Sequence, residues 1–163
     1  MTLTVALACA AALLVLAALA VGRSRAASSL IYGGCLAVSL VSLFAALAQL
    51  LGNVAPVSMT LPLGLPWTGA HFRIDALSAF FLAVIDLGAA AASLFAIGYG
   101  RHEESPQRVL PFYPAFLAAM NLVVLADDAF AFLVSWEFMS LSSWRWWWRI
   151  IGCARTSAPA MSI

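Results

Sequence analysis

Two acidic residues lie inside long apolar runs, where they could carry ions or protons. Glu137 follows Ala129 by eight residues, which places it about 12 Å along a helix that rises about 1.5 Å per residue. Asp86 lies ten residues beyond Ala76, within another apolar run. A carboxylate inside a bilayer is costly, so acids kept there usually face protein or water and take part in ion or proton movement. Both residues therefore predict polar sites within a membrane.

Each acid also has a structural interpretation. Ser140 lies three residues after Glu137 and places a hydroxyl on the same helix face. Glu137 is then either a proton carrier or a structural glutamate that hydrogen-bonds to a neighbouring helix. Asp86 is followed by Gly88 and four alanines, and small residues allow close packing of helices around a polar group. Asp86 is accordingly either a functional polar site or a polar residue tolerated at a helix interface.

The remaining titratable residues are assigned to caps, connecting segments or the apolar interior. Acidic side chains favour the first turn of a helix, and three aspartates are predicted to cap or end helices: Asp75, Asp127 and Asp128. The histidines, His71 and His102, lie between the apolar runs. The cysteines lack the spacing of metal ligands and are expected to be buried as small apolar residues: Cys9, Cys35 and Cys153. We expect no metal, no cofactor and no catalytic residue in this chain.

The composition is that of a membrane protein. Hydrophobic residues make up 64% of the chain and charged residues 9%, with a mean hydropathy of +1.01, whereas soluble domains average about 25% charged residues. The net charge is +1 and lysine is absent. These values exclude a soluble enzyme and leave no basic surface for nucleic acid. The chain should find its partners in the membrane.

Five apolar runs predict an all-α integral membrane protein with about five transmembrane helices. The predicted spans are about 2–21, 31–51, 76–99, 110–126 and 129–147. The alternative for the first run is a cleavable signal peptide, which needs positive charge before its apolar core. Arg23 and Arg25 follow this run instead, so we expect it to be retained as a span.

The longest connection, from Val54 to Ile74, separates the second and third spans. Residues alternate between apolar and polar in Val57 to Leu61 and again in His71 to Ile74, which indicates two short strands. Prolines and glycines lie between these strands. The segment predicts a short hairpin at the membrane face.

The arginines predict the orientation of the spans, because short cytoplasmic loops are enriched in positive charge. With five spans, Arg73 falls on one side of the membrane and the other seven of the eight basic residues fall on the opposite side. The N-terminus and the hairpin are therefore predicted to face outward. The chain is expected to be a multi-pass protein of the bacterial cytoplasmic (inner) membrane.

The segment from Asn121 to Trp144 resembles the fourth-to-fifth helix region of the antiporter-like proton-translocating subunits. These occur in respiratory complex I, in Mrp cation/proton antiporters, and in the membrane arms of hydrogenase-4 and formate hydrogenlyase. The sharpest element is Trp136-Glu137 followed by Met139-Ser140-Leu141. The segment Phe72 to Phe81 is similar to the family's entry into its third helix. The resemblance covers Met1 to Trp144, and the hydrogenase-4 component B branch is the most similar.

This resemblance implies that Glu137 occupies the place of the family's fifth-helix glutamate, which takes part in proton transfer. It also implies other membrane-arm subunits as partners, with the redox chemistry performed elsewhere in the complex. Asp86 matches no motif of the family. Two other functions stay open: a complete small membrane protein that serves as a scaffold or assembly factor, and a cation/proton antiporter subunit.

The end of the chain departs from the family, whose members continue with further helices and intramembrane lysines. In this chain Trp144 is followed by Arg145-Trp146-Trp147-Trp148-Arg149. Because tryptophan has the single codon TGG, a shifted frame across these codons reads as apolar residues that would continue the fifth span. We therefore expect residues 145–163 to be a frameshifted tail, which would make the chain a truncated N-terminal part of a longer subunit. The alternative is a genuine tail of arginine and tryptophan, which suits a helix end at a membrane interface.

Overall fold

The computed structural model describes residues 2–21, 25–52, 55–62, 69–99 and 110–156. These residues form five helices and one short hairpin. The helices are α1 (Thr2–Ala20), α2 (Arg25–Leu51), α3 (Ala76–Tyr99), α4 (Phe112–Leu125) and α5 (Ala129–Thr156), and the strands are β1 (Val57–Leu61) and β2 (Ala70–Ile74). The predicted fold class, an all-α membrane protein with a hairpin between its second and third helices, is confirmed.

Two helices extend beyond the predicted spans. Helix α2 begins at Arg25 rather than at 31, and α5 continues to Thr156 rather than ending at 147. An apolar run marks the part of a helix that suits the bilayer. The helix can continue past that part, because its backbone hydrogen bonds form within the helix itself. Helix α4 is shorter than predicted because Pro111 is its N-cap.

Three helices are long and apolar enough to cross a membrane among the residues described: Thr2–Ala20, Ser28–Leu51 and Ala76–Gly98. Helix α4 is apolar but has 14 residues, which corresponds to about 21 Å against a hydrocarbon core of about 30 Å. Helix α5 is long but less apolar, since it carries Glu137 and Arg145. The crossing of the membrane by α4 and α5 therefore stays a prediction.

The helices pack around α1 and α4. Helix α1 contacts α2 and α4, α2 lies along α3, and α5 packs on α4. Their buried apolar residues form two clusters. The first adjoins the hairpin and includes Leu3, Ala6, Ala46, Phe72, Ile74, Leu82, Ala83 and Leu125. The second includes Leu13, Tyr32, Cys35, Ala89, Leu110, Leu117 and Ala118.

The hairpin pairs β1 and β2 in antiparallel register from Val57 opposite Ile74 to Leu61 opposite Ala70. Phe72 and Ile74 are buried in the first cluster. Gly69 precedes β2 with φ +66°, and a β-carbon there would lie 2.8 Å from the carbonyl oxygen of Leu61. Only glycine fits this position without strain. The hairpin thus rests on one end of the helices with its apolar face inward.

Candidate functional site

Asp75 caps α3 at the end of the molecule that carries the hairpin. Its Oδ1 accepts a hydrogen bond from the backbone N–H of Ser78 at 2.8 Å, and its own N–H donates to the Ser78 hydroxyl at 2.8 Å. This reciprocal pair is a capping arrangement that satisfies two otherwise free helix donors. The hydrogen bond from the Ser78 backbone, aided by its hydroxyl and by Arg73, lowers the pKa of Asp75.

Asp128 caps α5 and also binds the hairpin. Its Oδ1 accepts from the backbone N–H of Ala131 at 2.7 Å, and its Oδ2 accepts from the backbone N–H of His71 at 2.6 Å. The hydrogen bonds from Ala131 and then His71 hold the pKa of Asp128 below its usual value. The His71 Nδ1 lies 3.6 Å from the same carboxylate oxygen. Asp128 therefore fixes the start of α5 against β2.

Arg73 forms ion pairs with Asp75 and Asp127. Its guanidinium lies 3.3 Å from Asp75 Oδ2 and 3.3 Å from Asp127 Oδ1, and the Asp127 backbone N–H donates to the carbonyl of His71 at 2.9 Å. The Arg73 side chain is half exposed, so these ion pairs add little to stability on their own. They matter more for geometry. Because Arg73 lies on β2, they help to hold the first turns of α3 and α5 at the same end of the molecule.

This common starting point sets the distances of Asp86 and Glu137 from the hairpin end. Asp86 lies ten residues into α3 and Glu137 eight residues into α5. At about 1.5 Å per residue these positions are about 15 Å and 12 Å from the hairpin end. Half the thickness of a hydrocarbon core is about 15 Å. The two carboxyl groups therefore lie at similar distances from the hairpin end, which corresponds to the middle of a bilayer for the predicted spans.

Glu137 faces away from the other helices. Its side chain is exposed, and it has neither a hydrogen bond nor an ion pair within the described part of the chain. It lies in an apolar outer face of α5 formed by Phe130, Leu133, Val134, Leu141 and Trp144. Ser135 and Ser142 mark the buried face of the same helix. Ser140 is partly buried, and its carbonyl accepts from the Ser143 hydroxyl at 2.9 Å.

Asp86 has the opposite environment. Its residue exposure is 1%, and its Oδ1 accepts a hydrogen bond from Asn121 Nδ2 on α4 at 3.2 Å. The Ser42 hydroxyl on α2 also lies near this carboxyl group, outside hydrogen-bonding geometry. The structure therefore separates the two acids: Asp86 lies within the helix packing and Glu137 on its outside.

An apolar cleft lies between α3, α4 and α5. It has a volume of about 550 Å³ and is lined by residues that include Ile85, Gly88, Phe116, Met120 and Ser142. The Ser142 hydroxyl donates to the carbonyl of Met139 in its own helix at 2.8 Å, which leaves the cleft with little polar character. Its lining suits an apolar occupant such as a helix or a lipid chain.

Asn121, Ser39 and Ser42 are among the buried polar residues that are missing from the sites predicted from the sequence. Asn121 enters there only as the start of a family segment, and Ser39 and Ser42 do not enter at all. All three are buried. An amide within an apolar helix is a signal that could have identified Asn121, since such a group needs a partner in the membrane. Serine is too common in membrane helices for Ser39 and Ser42 to be found without the structure.

We predict that replacing Asp128 with alanine destabilises the protein by about 1–2 kcal/mol, the range measured for lost helix caps. The variant loses hydrogen bonds to both Ala131 and His71. Because the pKa of Asp128 is lowered on folding, its carboxylate stabilises the protein at neutral pH, and that contribution disappears as the pH falls through the lowered value. Thermal unfolding in detergent, followed by circular dichroism, measures both effects.

Two control variants accompany this measurement. Asp128→Asn keeps a capping oxygen and should lose less stability than alanine. Asp127→Ala removes only one exposed ion pair and should cost under about 1 kcal/mol. Equal unfolding temperatures for the protein and Asp128→Ala at neutral pH would show that Asp128 does not hold α5.

Comparison with known proteins shows local similarity to large membrane subunits. The chain is 40% identical over 74 residues to hydrogenase-4 component B of Escherichia coli, which is 44% of this chain and 11% of that protein. It is 29% identical over 73 residues to NADH-quinone oxidoreductase subunit L of Campylobacter jejuni, covering 45% of this chain and 12% of that protein. Almost half of the chain is thus similar to antiporter-like membrane subunits. An uncharacterized protein of Mycobacterium tuberculosis is 38% identical over 79 residues.

The matches span a small part of each relative. They cover about 12% of the length of the curated relatives, and they are shorter than the Met1 to Trp144 stretch expected from the resemblance. No family model matches the chain. The similarity therefore supports a membrane subunit of the antiporter-like kind.

Proposed function

We propose that this chain is part of a membrane subunit of a hydrogenase-4-like or complex I-like oxidoreductase, in which Glu137 takes part in proton transfer. The observation that carries the proposal is the 40% identity over 74 residues to hydrogenase-4 component B. The apolar helices and the two acids at mid-bilayer depth agree with such a role. Redox chemistry belongs to other subunits of the complex, and this chain supplies part of the membrane path.

The exposed position of Glu137 supports this assignment. An unpaired carboxylate on an apolar helix face is costly in lipid, so the outer face of α5 should be covered by further helices that offer a polar partner or water. A lysine partner must come from beyond these 163 residues, since they contain no lysine. Proton exchange between Glu137 and such a partner is the step that this surface would provide.

The genes beside this one test the assignment cheaply. Genes for hydrogenase or NADH:quinone oxidoreductase subunits next to it are the expected result. Neighbouring genes of a cation/proton antiporter would instead assign the chain to that system. Neither kind of neighbour, together with a stable product of this length, would favour a small scaffold or assembly protein.

The residues from 145 to 163 are part of the same proposal. We infer that they come from a reading frame shifted by one base after the codon of Trp144, and that the unshifted frame continues with apolar spans. Helix α5 runs on to Thr156, which agrees with either origin of these residues. Reading the nucleotide sequence decides the matter: an alternative frame that meets a stop codon within a few residues would rule out the frameshift.

The orientation of the helices is predicted from the arginines, with the hairpin outside the cell and residues 100–109 in the cytoplasm. Reporter fusions measure this directly. Alkaline phosphatase fused after Pro62 should be active, because that enzyme needs the periplasm to form its disulfides. The same enzyme fused after Glu104 should be inactive. The reverse pattern would show that the chain is inserted in the opposite direction.

A further inference from the structure

A layer of polar residues separates the two apolar clusters. On α3, Asp86 lies between Leu82 of the first cluster and Ala89 of the second, and on α4, Asn121 lies between Leu125 and Leu117. The other two helices of the packing follow the same order. On α2, Ser39 and Ser42 lie between Cys35 and Ala46, and on α1, Cys9 lies between Ala6 and Leu13.

We call Cys9, Ser39, Ser42, Asp86 and Asn121 the polar layer. Three of its members lie near the carboxyl group of Asp86. Asn121 donates to Asp86, Ser42 lies near the same carboxyl group, and Cys9 is within electrostatic range of it. Ser39 precedes Ser42 by one helical turn on the same face of α2. All five residues are buried.

Four oxygen atoms of the polar layer have no hydrogen-bond partner among the described residues. They are Asp86 Oδ2, Asn121 Oδ1, Ser39 Oγ and Ser42 Oγ. Such atoms are rare in folded proteins and call for an explanation, for example an ion or a water molecule. Asp86 and Asn121 are hydrogen-bonded to each other, and Ser42 lies near the same carboxyl group, which points to a ligand shared by these side chains.

The charge of the polar layer indicates what that ligand is. Asp86 is its only acidic residue, and none of its members is basic, so an ionised carboxylate near the middle of a bilayer would need a positive charge from elsewhere. Apart from the Cys9 thiol, the available donors are oxygens, which suit hard cations better than they suit transition metals. One carboxylate with neutral amide and hydroxyl ligands matches a single positive charge.

We propose that the polar layer binds one sodium ion through Asp86 Oδ2, Asn121 Oδ1, Ser39 Oγ and Ser42 Oγ. The ion joins α2, α3 and α4 at the depth where the apolar packing is interrupted, and it neutralises the carboxylate there. Glu137 takes no part in this site, since it lies on the outer face of α5. The sodium site is therefore independent of the proton transfer proposed for Glu137.

Thermal unfolding of the full chain in detergent tests the site, because a ligand that binds only the folded state raises the unfolding temperature. The midpoint should rise with sodium chloride and reach a plateau, and it should exceed the midpoint in equal concentrations of potassium chloride or choline chloride. Asp86→Asn keeps the shape of the side chain and should abolish the difference between salts. Ser42→Ala should weaken the apparent affinity for sodium at least about threefold, because it removes one of the proposed ligands.

Ser93→Ala is the matched control. Ser93 is buried on α3, two turns beyond Asp86, and its hydroxyl bonds to that of Tyr113 at 2.7 Å. This variant should keep the full response to sodium even if its midpoint falls. If Asp86→Asn does not fold, the sodium responses of Ser42→Ala and Ser93→Ala are compared, and a weaker response in Ser42→Ala alone supports the site. Identical midpoints in the three salts, or an unchanged sodium response in Ser42→Ala, would overturn the proposal.

Discussion

Replacing Glu137 with glutamine is expected to lower redox-driven proton translocation by the assembled complex at least about tenfold, because a positioned proton-transfer group commonly contributes about 10²–10⁴ in rate. Glutamine keeps the size and hydrogen-bonding capacity of the side chain but cannot release a proton. The side chain lies on the outer face of α5 and has no partner in the described part of the chain. The substitution should therefore leave the packing of the five helices unchanged.

The measurement uses inverted membrane vesicles that contain the complex, with acidification of the interior followed by a pH-sensitive dye after the redox substrate is added. Asp127→Asn is the control, since Asp127 is an exposed acid at the membrane face with one ion pair to Arg73. It should translocate protons at the rate of the unchanged protein. Normal acidification by Glu137→Gln would remove Glu137 from the proton path.

The largest expected loss of stability comes from Leu82→Ala. Leu82 is 0% exposed in the first apolar cluster, where α3 meets the hairpin. Leucine-to-alanine substitutions in soluble cores cost about 2–5 kcal/mol through lost transfer energy and an unfilled cavity. In a membrane the transfer part is small because lipid is as apolar as leucine, so we expect about 2 kcal/mol from lost packing.

Leu87→Ala provides the matched control on the same helix. Leu87 is 61% exposed, so its loss leaves no cavity, and the change should fall within about 0.5 kcal/mol. Unfolding of the detergent-solubilised chain by a denaturing detergent, followed by circular dichroism, compares the two. Equal stability of Leu82→Ala and Leu87→Ala would contradict the burial of Leu82 in the first apolar cluster.

The helices and the hairpin could be predicted from the sequence because their signals are local. Apolar runs, the alternation in Val57 to Leu61, and the position of Asp75 before α3 each depend on neighbouring residues. The link from Asp128 to His71 depends on residues 57 positions apart, and no local pattern contains it. Helices α2 and α5 extend beyond the predicted spans, since hydropathy marks the part of a helix that suits the bilayer rather than the ends of the helix.

The environments of the two acids likewise could not be predicted from local sequence. Depth along a helix follows from residue spacing, so Glu137 and Asp86 could both be placed near the middle of a bilayer. The direction each side chain faces depends on how the helices pack. Helix α5 is apolar on its outer face and carries serines on its buried face, which is the reverse of a soluble helix. Asn121, the partner of Asp86, lies 35 positions away and could be found only from the fold.

We propose that the chain is part of a membrane subunit of a multi-subunit oxidoreductase. Affinity purification of the tagged chain from native membranes in a mild detergent, with identification of the co-eluting proteins by mass spectrometry, tests it most directly. We predict co-elution with the subunits of a hydrogenase or an NADH:quinone oxidoreductase. Elution of the chain alone, or with the subunits of a cation antiporter, would contradict this assignment.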